Sequence, residues 1–272
     1  MKKLLPALAL SLTAVFSVSA VHADDAALHA AVASTQRTPA NVARDGFRHP
    51  EATLAFFGLK PNQTVVELIP GGGWYTEILA PYLRDKGHLV EAGSDPDADS
   101  EGQRRSAERF KQWLAAKPEM YDRVQIGAFD ANNGKFNIGK PGSADVVLTF
   151  RNIHNWVPLG EAKTQAAFKA IYTALKPGGV FGVEEHRLPA GVPQTEKADT
   201  GYLHEAYVIK MAESVGFKLA ARSEINANPK DKADHPNGVW ALPPTYANKD
   251  ANRAEYEAIG ESDRMTLKFV KP

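Results

Sequence analysis

The chain has 272 residues, and its 32 basic and 32 acidic residues give a formal net charge of zero. It contains no basic block of the kind that grips a phosphate backbone, so nucleic acid is not expected as a partner. The absence of cysteine excludes disulfides and thiolate chemistry, and an oxidising compartment would not harm the chain.

The first residues predict a secretory signal peptide. Two lysines precede an apolar run from Leu4 to about Val18, and small residues that suit a signal peptidase end at Ala23. We therefore expect a leader over residues 1–23 and a mature protein that starts at Asp24 and is periplasmic or secreted. The apolar run is short for a membrane span. No stable membrane insertion is expected after cleavage, and an uncleaved anchor is the alternative.

The remaining sequence predicts one large domain with two additions. Residues 24–62 are polar and helix-prone, which indicates an N-terminal helical extension ahead of a domain over residues 63–272. Within it, residues 228–263 hold four prolines and few aliphatic side chains. A loop of this length in a compact domain is usually functional or disordered. We expect a lid-like insertion over a pocket, with a disordered surface excursion as the alternative.

Strands and helices alternate through the predicted domain. Short apolar runs predict seven strands, at 65–69, 88–90, 124–126, 145–150, 180–183, 218–221 and 265–269. Helical stripes such as Phe110, Trp113 and Leu114 lie between most of them. The seventh run follows the sixth without a clear helix, which favours an antiparallel last strand. The pattern predicts an α/β, doubly wound, Rossmann-like seven-stranded sheet with helices on both faces.

A glycine turn follows the first predicted strand. Glu67 ends the strand, Gly71, Gly72 and Gly73 form the turn, and Tyr75 opens the next helix. Glycines remove side chains that would block a nucleotide-like ligand, and a helix start offers unpaired N–H groups. A tight turn without any ligand is the alternative, since such a motif is weak by itself.

The order and spacing of several segments resemble class I S-adenosylmethionine-dependent methyltransferases. The resemblance spans about Thr64 to Lys271. The segments that carry it are the glycine turn from Glu67 to Gly73, Phe129-Asp130, Asp145 to Leu148, Arg151 to Trp156, Leu175 to Gly179 and Val215 to Phe217. A narrower group of exported predicted methyltransferases is similar at Arg44-Asp45, Arg48-His49-Pro50, Arg151-Asn152-x-His154, Glu185-His186-Arg187 and Ser262-Asp263-Arg264.

This resemblance implies S-adenosylmethionine as the cofactor and a small molecule as the methyl acceptor. The cofactor contacts that it implies are Glu67, Gly71, Gly72, Gly73, Tyr75, Glu91, Asp95, Phe129, Asp130, Arg151 and Asn152. Two departures from the family pattern stand out. Ile69 occupies the position of the first glycine, and the acid that binds the ribose hydroxyls falls near Gly93. Glu91 or Asp95 would have to serve instead.

Candidate catalytic residues follow the fourth and fifth predicted strands. His154, Glu185 and His186 should meet at the carboxyl edge of a parallel sheet, where ligands bind. His154 is the candidate general base, with a structural histidine as the alternative. Glu185 and His186 are candidates to orient a substrate or to form an acid–base pair, unless they only support an ion pair with Arg187. The histidine spacings match no metal-ligand motif, so no metal is predicted.

Three functions remain open at this point. The first is an exported methyltransferase that acts on a small molecule. The second is a non-catalytic exported ligand-binding or stress-related protein that retains the fold, because S-adenosylmethionine is made in the cytosol. The third is a nicotinamide-dependent oxidoreductase, which the turn from Lys176 to Gly179 and the antiparallel last strand disfavour. Fold alone does not decide between them.

Overall fold

The computed structural model describes residues 26–272. The predicted signal peptide and its cleavage site lie outside the described residues. Between residues 26 and 272, no helix is both long enough and apolar enough to cross a membrane.

A mixed sheet of eight strands forms the centre of the described part of the chain, in the order β4-β3-β2-β1-β5-β6-β8-β7. The strands are β1 (Thr64–Leu68), β2 (His88–Gly93), β3 (Gln125–Asp130), β4 (Lys135–Asn137), β5 (Ala144–Phe150), β6 (Leu175–His186), β7 (Lys218–Ser223) and β8 (Arg264–Val270). Strands β1, β2, β3, β5 and β6 are parallel, whereas β8 is antiparallel to both of its neighbours. The predicted antiparallel last strand is confirmed.

The prediction of seven strands is wrong by one. Strand β4 forms a hairpin with β3, in which Phe136 pairs with Phe129 and Lys135 with Asp130. It has only three residues, too few to show the two-residue alternation that identifies a strand in sequence. The turn before it contains Gly134 at a φ of +68°, a backbone conformation that favours glycine.

Alternating side chains of the strands build a hydrophobic core on each face of the sheet. In β1, Val65 belongs to one core, while Val66 and Leu68 belong to the other. In β5, Val146 and Val147 divide between the two cores in the same way. Because both faces are buried, these strands read in sequence as nearly continuous apolar runs. The doubly wound architecture is confirmed.

Helices cover both faces. They are α1 (residues 26–32), α2 (Pro39–Val42), α3 (Asp45–Arg48), α4 (Pro50–Phe57), α5 (Thr76–Leu83), α6 (Glu101–Ala115), α7 (Pro118–Tyr121), α8 (Ile153–Trp156), α9 (Glu161–Ala174), α10 (Glu205–Ser214) and α11 (Arg253–Ile259). Two 3-10 turns add Val157–Leu159 and Gly238–Ala241. Helices α4 to α7 contribute to one core, and α8 to α10 contribute to the other.

The N-terminal segment, residues 26–62, is anchored on the carboxyl edge of the sheet. The Thr38 hydroxyl donates to Glu77 Oε1 at 2.5 Å, and the Trp74 indole N–H donates to the Asn41 carbonyl at 3.0 Å. Both Trp74 and Glu77 follow the glycine turn, so this segment lies beside the end of β1.

The insertion, residues 228–263, has structure of its own. It contains a 3-10 turn and α11, and Ala241, Leu242 and Tyr256 form a small separate core. Its two ends are joined through the Asn228 side chain, which donates to the carbonyls of Ile259 at 2.9 Å and Glu261 at 2.7 Å. These contacts hold the insertion as a closed loop between β7 and β8.

Candidate functional site

A cavity of about 450 Å³ lies at the carboxyl edge of the sheet, above the ends of β1, β5 and β6. This volume is in the range of small-molecule sites, and the position is where ligands bind in open α/β sheets. Five parts of the chain line it: the N-terminal segment, the end of β1 with the glycine turn, the end of β5 with the residues after it, the end of β6 and the insertion. The insertion contributes residues 239–240, 243–245 and 261–262.

Many of the sequence-predicted site residues come together here. Those that line the cavity are Glu67, Gly71, Gly72, Tyr75, Arg151, Asn152, His154 and His186. Glu185 is fully buried directly behind His154. Tyr75 stacks on Phe150 with ring centroids 3.6 Å apart. Its hydroxyl donates to Glu184 Oε2 at 3.1 Å. The ring and the hydroxyl of Tyr75 are thus both used in contacts within the protein.

Two glycines of the turn face open space, and the third does not. A Cβ atom added to Gly71 or Gly72 would meet no heavy atom within 4 Å. Among the described residues, their backbone N–H groups donate to no protein acceptor. A Cβ atom on Gly73 would lie 2.4 Å from the Trp113 ring, and its φ is +79°. Gly73 therefore serves packing against α6, whereas Gly71 and Gly72 leave bare backbone for a ligand.

A histidine and a carboxylate form a dyad beside this turn. His154 Nδ1 lies 2.9 Å from Glu185 Oε1. Glu185 also accepts backbone N–H groups from Ile153 at 2.6 Å, His154 at 3.3 Å and His186 at 2.9 Å. Because both carboxylate oxygens already accept N–H groups, the Nδ1 of His154 carries the proton and donates. Its Nε2 then holds a free lone pair, which is the arrangement that a general base needs.

His186 is the second histidine of the cavity. Its Nδ1 lies 2.6 Å from Ser262 Oγ, and its ring centroid is 5.3 Å from that of His154. Burial lowers its pKa well below the ordinary value, and the positive charge of the neighbouring Arg151 lowers it further. His186 is therefore a neutral hydrogen-bonding group at pH 7.

His154, Glu185 and His186 also offer ligand atoms within 4.8 Å of one another. Such groups bind metal ions in many proteins. Here the Glu185 oxygens already accept the three backbone N–H groups and the His154 ring. The carboxylate is thus used as an internal acceptor, which favours the dyad.

Apart from Arg151, a candidate cofactor contact, sequence reasoning gave no role to a group of charged residues that line and support the cavity. We call Arg44, Arg48, Arg151, Arg264, Glu184 and Glu261 the arginine cluster. Arg151 Nη1 lies 2.6 Å from Glu184 Oε1, and Arg264 Nη1 lies 3.0 Å from the same oxygen. Burial disfavours the charged form of Glu184, but the charges of Arg151 and Arg264 hold its pKa below the ordinary value. Glu184 is thus a fixed negative charge between two guanidinium groups.

The second carboxylate of the cluster connects both ends of the chain. Glu261 binds Arg44 Nε at 2.7 Å, Arg48 Nε at 3.1 Å and Arg264 Nη1 at 3.2 Å. Arg48 also lies over the Trp74 ring, 4.7 Å from its centroid. The only sequence signal for Arg44, Arg48 and Arg264 was the resemblance at Arg44-Asp45, Arg48-His49-Pro50 and Ser262-Asp263-Arg264. That resemblance assigned no function to them.

A buried pair of carboxyl groups lies beneath the glycine turn. Glu67 and Glu91 are direct partners in the β1–β2 register, and Thr76 donates to Glu67 Oε2 at 3.1 Å. Burial raises the pKa of Glu67 to about 7. Burial and the adjacent charge of Glu67 raise the pKa of Glu91 well above its ordinary value. The pair therefore retains a proton at neutral pH.

Solved structures with a similar fold are S-adenosylmethionine-dependent methyltransferases and relatives of them. A SAM-dependent methyltransferase from Aquifex aeolicus matches with a TM-score of 0.52 and 16% identity, over 75% of this chain and 93% of that one. A geranyl diphosphate C-methyltransferase from Streptomyces coelicolor matches with a TM-score of 0.54 and 12% identity, over 89% and 88%. The chain has the S-adenosylmethionine-dependent methyltransferase fold. No protein-family model and no curated protein matches the sequence.

The methyltransferase fold does not by itself fix the reaction. The cyclase SpnF matches with a TM-score of 0.55 and 16% identity, over 93% of this chain and 94% of that one. At such low identity the comparison establishes the fold alone. The chemistry must therefore be argued from the residues that line the cavity.

The residues at the glycine turn fit the amino-acid end of S-adenosylmethionine. Gly71 and Gly72 offer bare backbone and free N–H groups, and Arg151 offers a positive charge at the same cavity. The side-chain amide of Asn152 is already used, because it donates to Leu68 O at 2.9 Å and Thr149 Oγ1 at 3.2 Å. Asn152 therefore positions the loop after β5.

The residues at the end of β2 fit the ribose less well. Pro70 lies against Gly93, with its Cδ 3.7 Å from the position of an added Cβ, and the cleft on that side measures about 70 Å³. Ile69 has a φ of +51°, a strained conformation for a β-branched residue. Glu91 is fully buried beneath the turn and lines none of the cavities described here.

Three further predicted cofactor contacts lie outside the main cavity. Asp95 pairs with Lys135 at 3.2 Å and lines a separate cleft of about 330 Å³. Phe129 is buried against Phe136. Asp130 accepts the N–H groups of the turn that follows β3, so it caps that turn. These three residues lie at the edge of the sheet, but they do not line the cavity that contains His154.

Proposed function

We propose that this protein is an exported S-adenosylmethionine-dependent methyltransferase that acts on a small molecule. One observation carries the proposal: the open glycines Gly71 and Gly72 and the His154–Glu185 dyad line or support the same cavity. The fold supports the cofactor class, and the cavity volume of about 450 Å³ supports a small acceptor. The predicted signal peptide is the basis for export.

The cofactor would lie with its amino-acid end on the turn. Gly71 and Gly72 would donate backbone N–H groups to it, and Arg151 would face its carboxylate. When bound, S-adenosylmethionine supplies an electrophilic methyl group on a sulfonium. The protein's main task is then to hold the acceptor in line with that methyl group.

The dyad gives the acceptor its nucleophilic form. His154 Nε2 takes a proton from a hydroxyl or similar group of the acceptor, and Glu185 Oε1 stabilises the imidazolium through Nδ1. His186, held neutral, adds a hydrogen bond without a competing charge. Trp240 of the insertion, 6.0 Å from the His154 ring centroid, helps to exclude water from the dyad.

Calorimetry with S-adenosylmethionine and S-adenosylhomocysteine tests the proposal. We expect both to bind to the wild-type protein, and Gly72→Ala to weaken binding about tenfold or more, because a Cβ would occupy the ligand's place. The unfolding free energy of Gly72→Ala should stay within about 0.5 kcal/mol of wild type, since the added Cβ meets no protein atom. Gly191→Ala, at an exposed glycine that is equally free of contacts, is the matched control. Absence of binding at millimolar concentration would refute the function.

A non-catalytic exported binding protein is the second candidate. The observation that favours it is the Ile69-Pro70 segment, which narrows the ribose side and leaves no carboxylate at the end of β2 facing the cavity. Purification of the native protein followed by mass spectrometry of co-purified small molecules separates the two. Bound S-adenosylmethionine or S-adenosylhomocysteine favours the enzyme, whereas a different ligand with neither cofactor favours the binding protein.

A further inference from the structure

We propose that the methyl acceptor is an anion, a small molecule whose carboxylate or phosphate group is bound by Arg48 together with Arg44. The identification of this anion as the acceptor rests on the proposed function. The existence of the anion site rests only on the arginine cluster.

Arg48 presents an unused guanidinium fork to the cavity. Its Nε donates to Glu261 Oε2 at 3.1 Å, but neither Nη has a protein acceptor among the described residues. The residue is only 4% exposed and lines the cavity. Neither Nη is fully enclosed by protein atoms. Both therefore reach the open space of the cavity. A buried guanidinium with two free donors matches the paired oxygens of a carboxylate or phosphate.

The arginine cluster carries an excess of positive charge, and Glu185 behind His154 adds one negative charge to the same cavity. The arginine cluster has four guanidinium groups and two carboxylates. Burial and the adjacent charge of Arg151 lower the pKa of Arg48 to about 9, so like charges already crowd one another. Glu67 also lines the cavity. Because its pKa is about 7, its carboxyl group carries only a partial negative charge at neutral pH. A bound anion would offset this repulsion in a site with little water to screen it.

The position of the cluster assigns the anion to the acceptor. Arg44 and Arg48 come from the N-terminal segment and bind Glu261, just before β8. Arg151 follows β5 and binds Glu184 at the end of β6. The carboxylates that hold the arginines therefore lie on the β6–β8 side, whereas the open glycines follow β1. Arg48 spans the two sides, since it also lies over the Trp74 ring that follows the turn. His154 and His186 line the same cavity, so an acceptor anchored through its anionic group presents its other end to the dyad.

Binding of small anions to the full chain tests the inference. Inorganic phosphate and succinate serve as the two probes, since one represents a phosphate group and the other a carboxylate. We expect at least one to bind to the wild-type protein by calorimetry, and the tighter of the two identifies the group. Arg48→Gln should weaken that binding about tenfold or more, since it removes charge-assisted hydrogen bonds. Arg105→Gln, a surface arginine paired with Glu101, is the control and should bind as wild type.

A second variant protects the test against a folding defect in Arg48→Gln. Arg44 is more accessible, with 24% of its side chain exposed, and Arg44→Gln should keep the fold and weaken anion binding by a smaller factor. The inference is overturned if neither probe binds to the wild-type protein. It is also overturned if both variants bind the probe as tightly as the wild-type protein does. Competition between the probe and S-adenosylhomocysteine would assign the arginines to the cofactor and overturn the acceptor assignment. Anion binding without any cofactor binding would refute the proposed function and leave the anion site standing.

Discussion

The carboxyl pair beneath the glycine turn predicts an unusual dependence of stability on pH, which Glu91→Gln should reduce. Glu67 and Glu91 are buried side by side, and their side chains interact directly. In both carboxyls, burial is the main cause of a raised pKa. Glutamine has nearly the same shape but never ionises, so the substitution removes one titrating group from the pair.

The sign of the effect follows from proton binding. Each carboxyl with a raised pKa retains a proton in the folded state that the unfolded chain releases above its ordinary value of 4.5. Its stabilising contribution is therefore complete below pH 4.5 and is lost as pH rises through the raised pKa. For Glu67, a shift from 4.5 to about 7 corresponds to a loss of about 3 kcal/mol of unfolding free energy. Glu91 adds a loss in the same direction.

Urea unfolding at pH 5, 6 and 7, followed by tryptophan fluorescence, measures this difference. The unfolding free energy of Glu91→Gln, minus that of wild type, should increase by about 1.4 kcal/mol per pH unit while Glu91 stays protonated. Any constant cost of burying the amide cancels, because only the slope is compared. Glu119→Gln, at an exposed position, should show no slope. A difference that does not change with pH would refute the assignment of the pair.

Two further predictions concern the turn and the dyad. Gly71→Ala should destabilise the fold by about 1–2 kcal/mol, since only its φ of +60° opposes the change. Gly73→Ala should cost about 1–3 kcal/mol more, because its Cβ would also overlap the Trp113 ring; equal losses in urea unfolding would contradict this packing role. Nitrogen NMR of labelled histidine should find the proton of neutral His154 on Nδ1, and Glu185→Gln should allow the other tautomer. A proton on Nε2 in the wild-type protein would exclude His154 as the base in this state.

Much of the fold could be predicted because local sequence and global architecture agree. Buried parallel strands give apolar runs, such as Val146 to Phe150, that need no knowledge of their neighbours. Strand β8 was predicted to be antiparallel because the sequence before it shows no clear helical stripe, and the helix found there, α11, belongs to the insertion. Strand β4 was missed, since three residues in a hairpin are too short for any periodicity.

The candidate site was predictable where residues follow strand ends. His154 and Glu185 come directly after or at the end of parallel strands, so topology alone places them at one edge. Gly73 illustrates the opposite case, because only the structure reveals that the Trp113 ring occupies the space beside it.

Glu91 and the arginine cluster show why the rest was not predictable. The sequence does not reveal whether an acidic side chain near the end of a strand points into the protein interior or into a cavity. The side chain of Glu91 is buried in the interior. Arg48 and Glu261 lie 213 residues apart in sequence, and no local pattern links them. Their pairing depends on how the N-terminal segment and the insertion lie against the sheet.

The contact between Arg48 and Glu261 has a consequence for when the binding cavity exists. One wall comes from the N-terminal part of the described chain and another from the insertion just before its last strand. Contacts between such distant segments form late, because the intervening chain must first be ordered. A growing chain therefore carries no complete binding cavity until the insertion before its final strand is in place. Any ligand is acquired in the compartment where folding is completed.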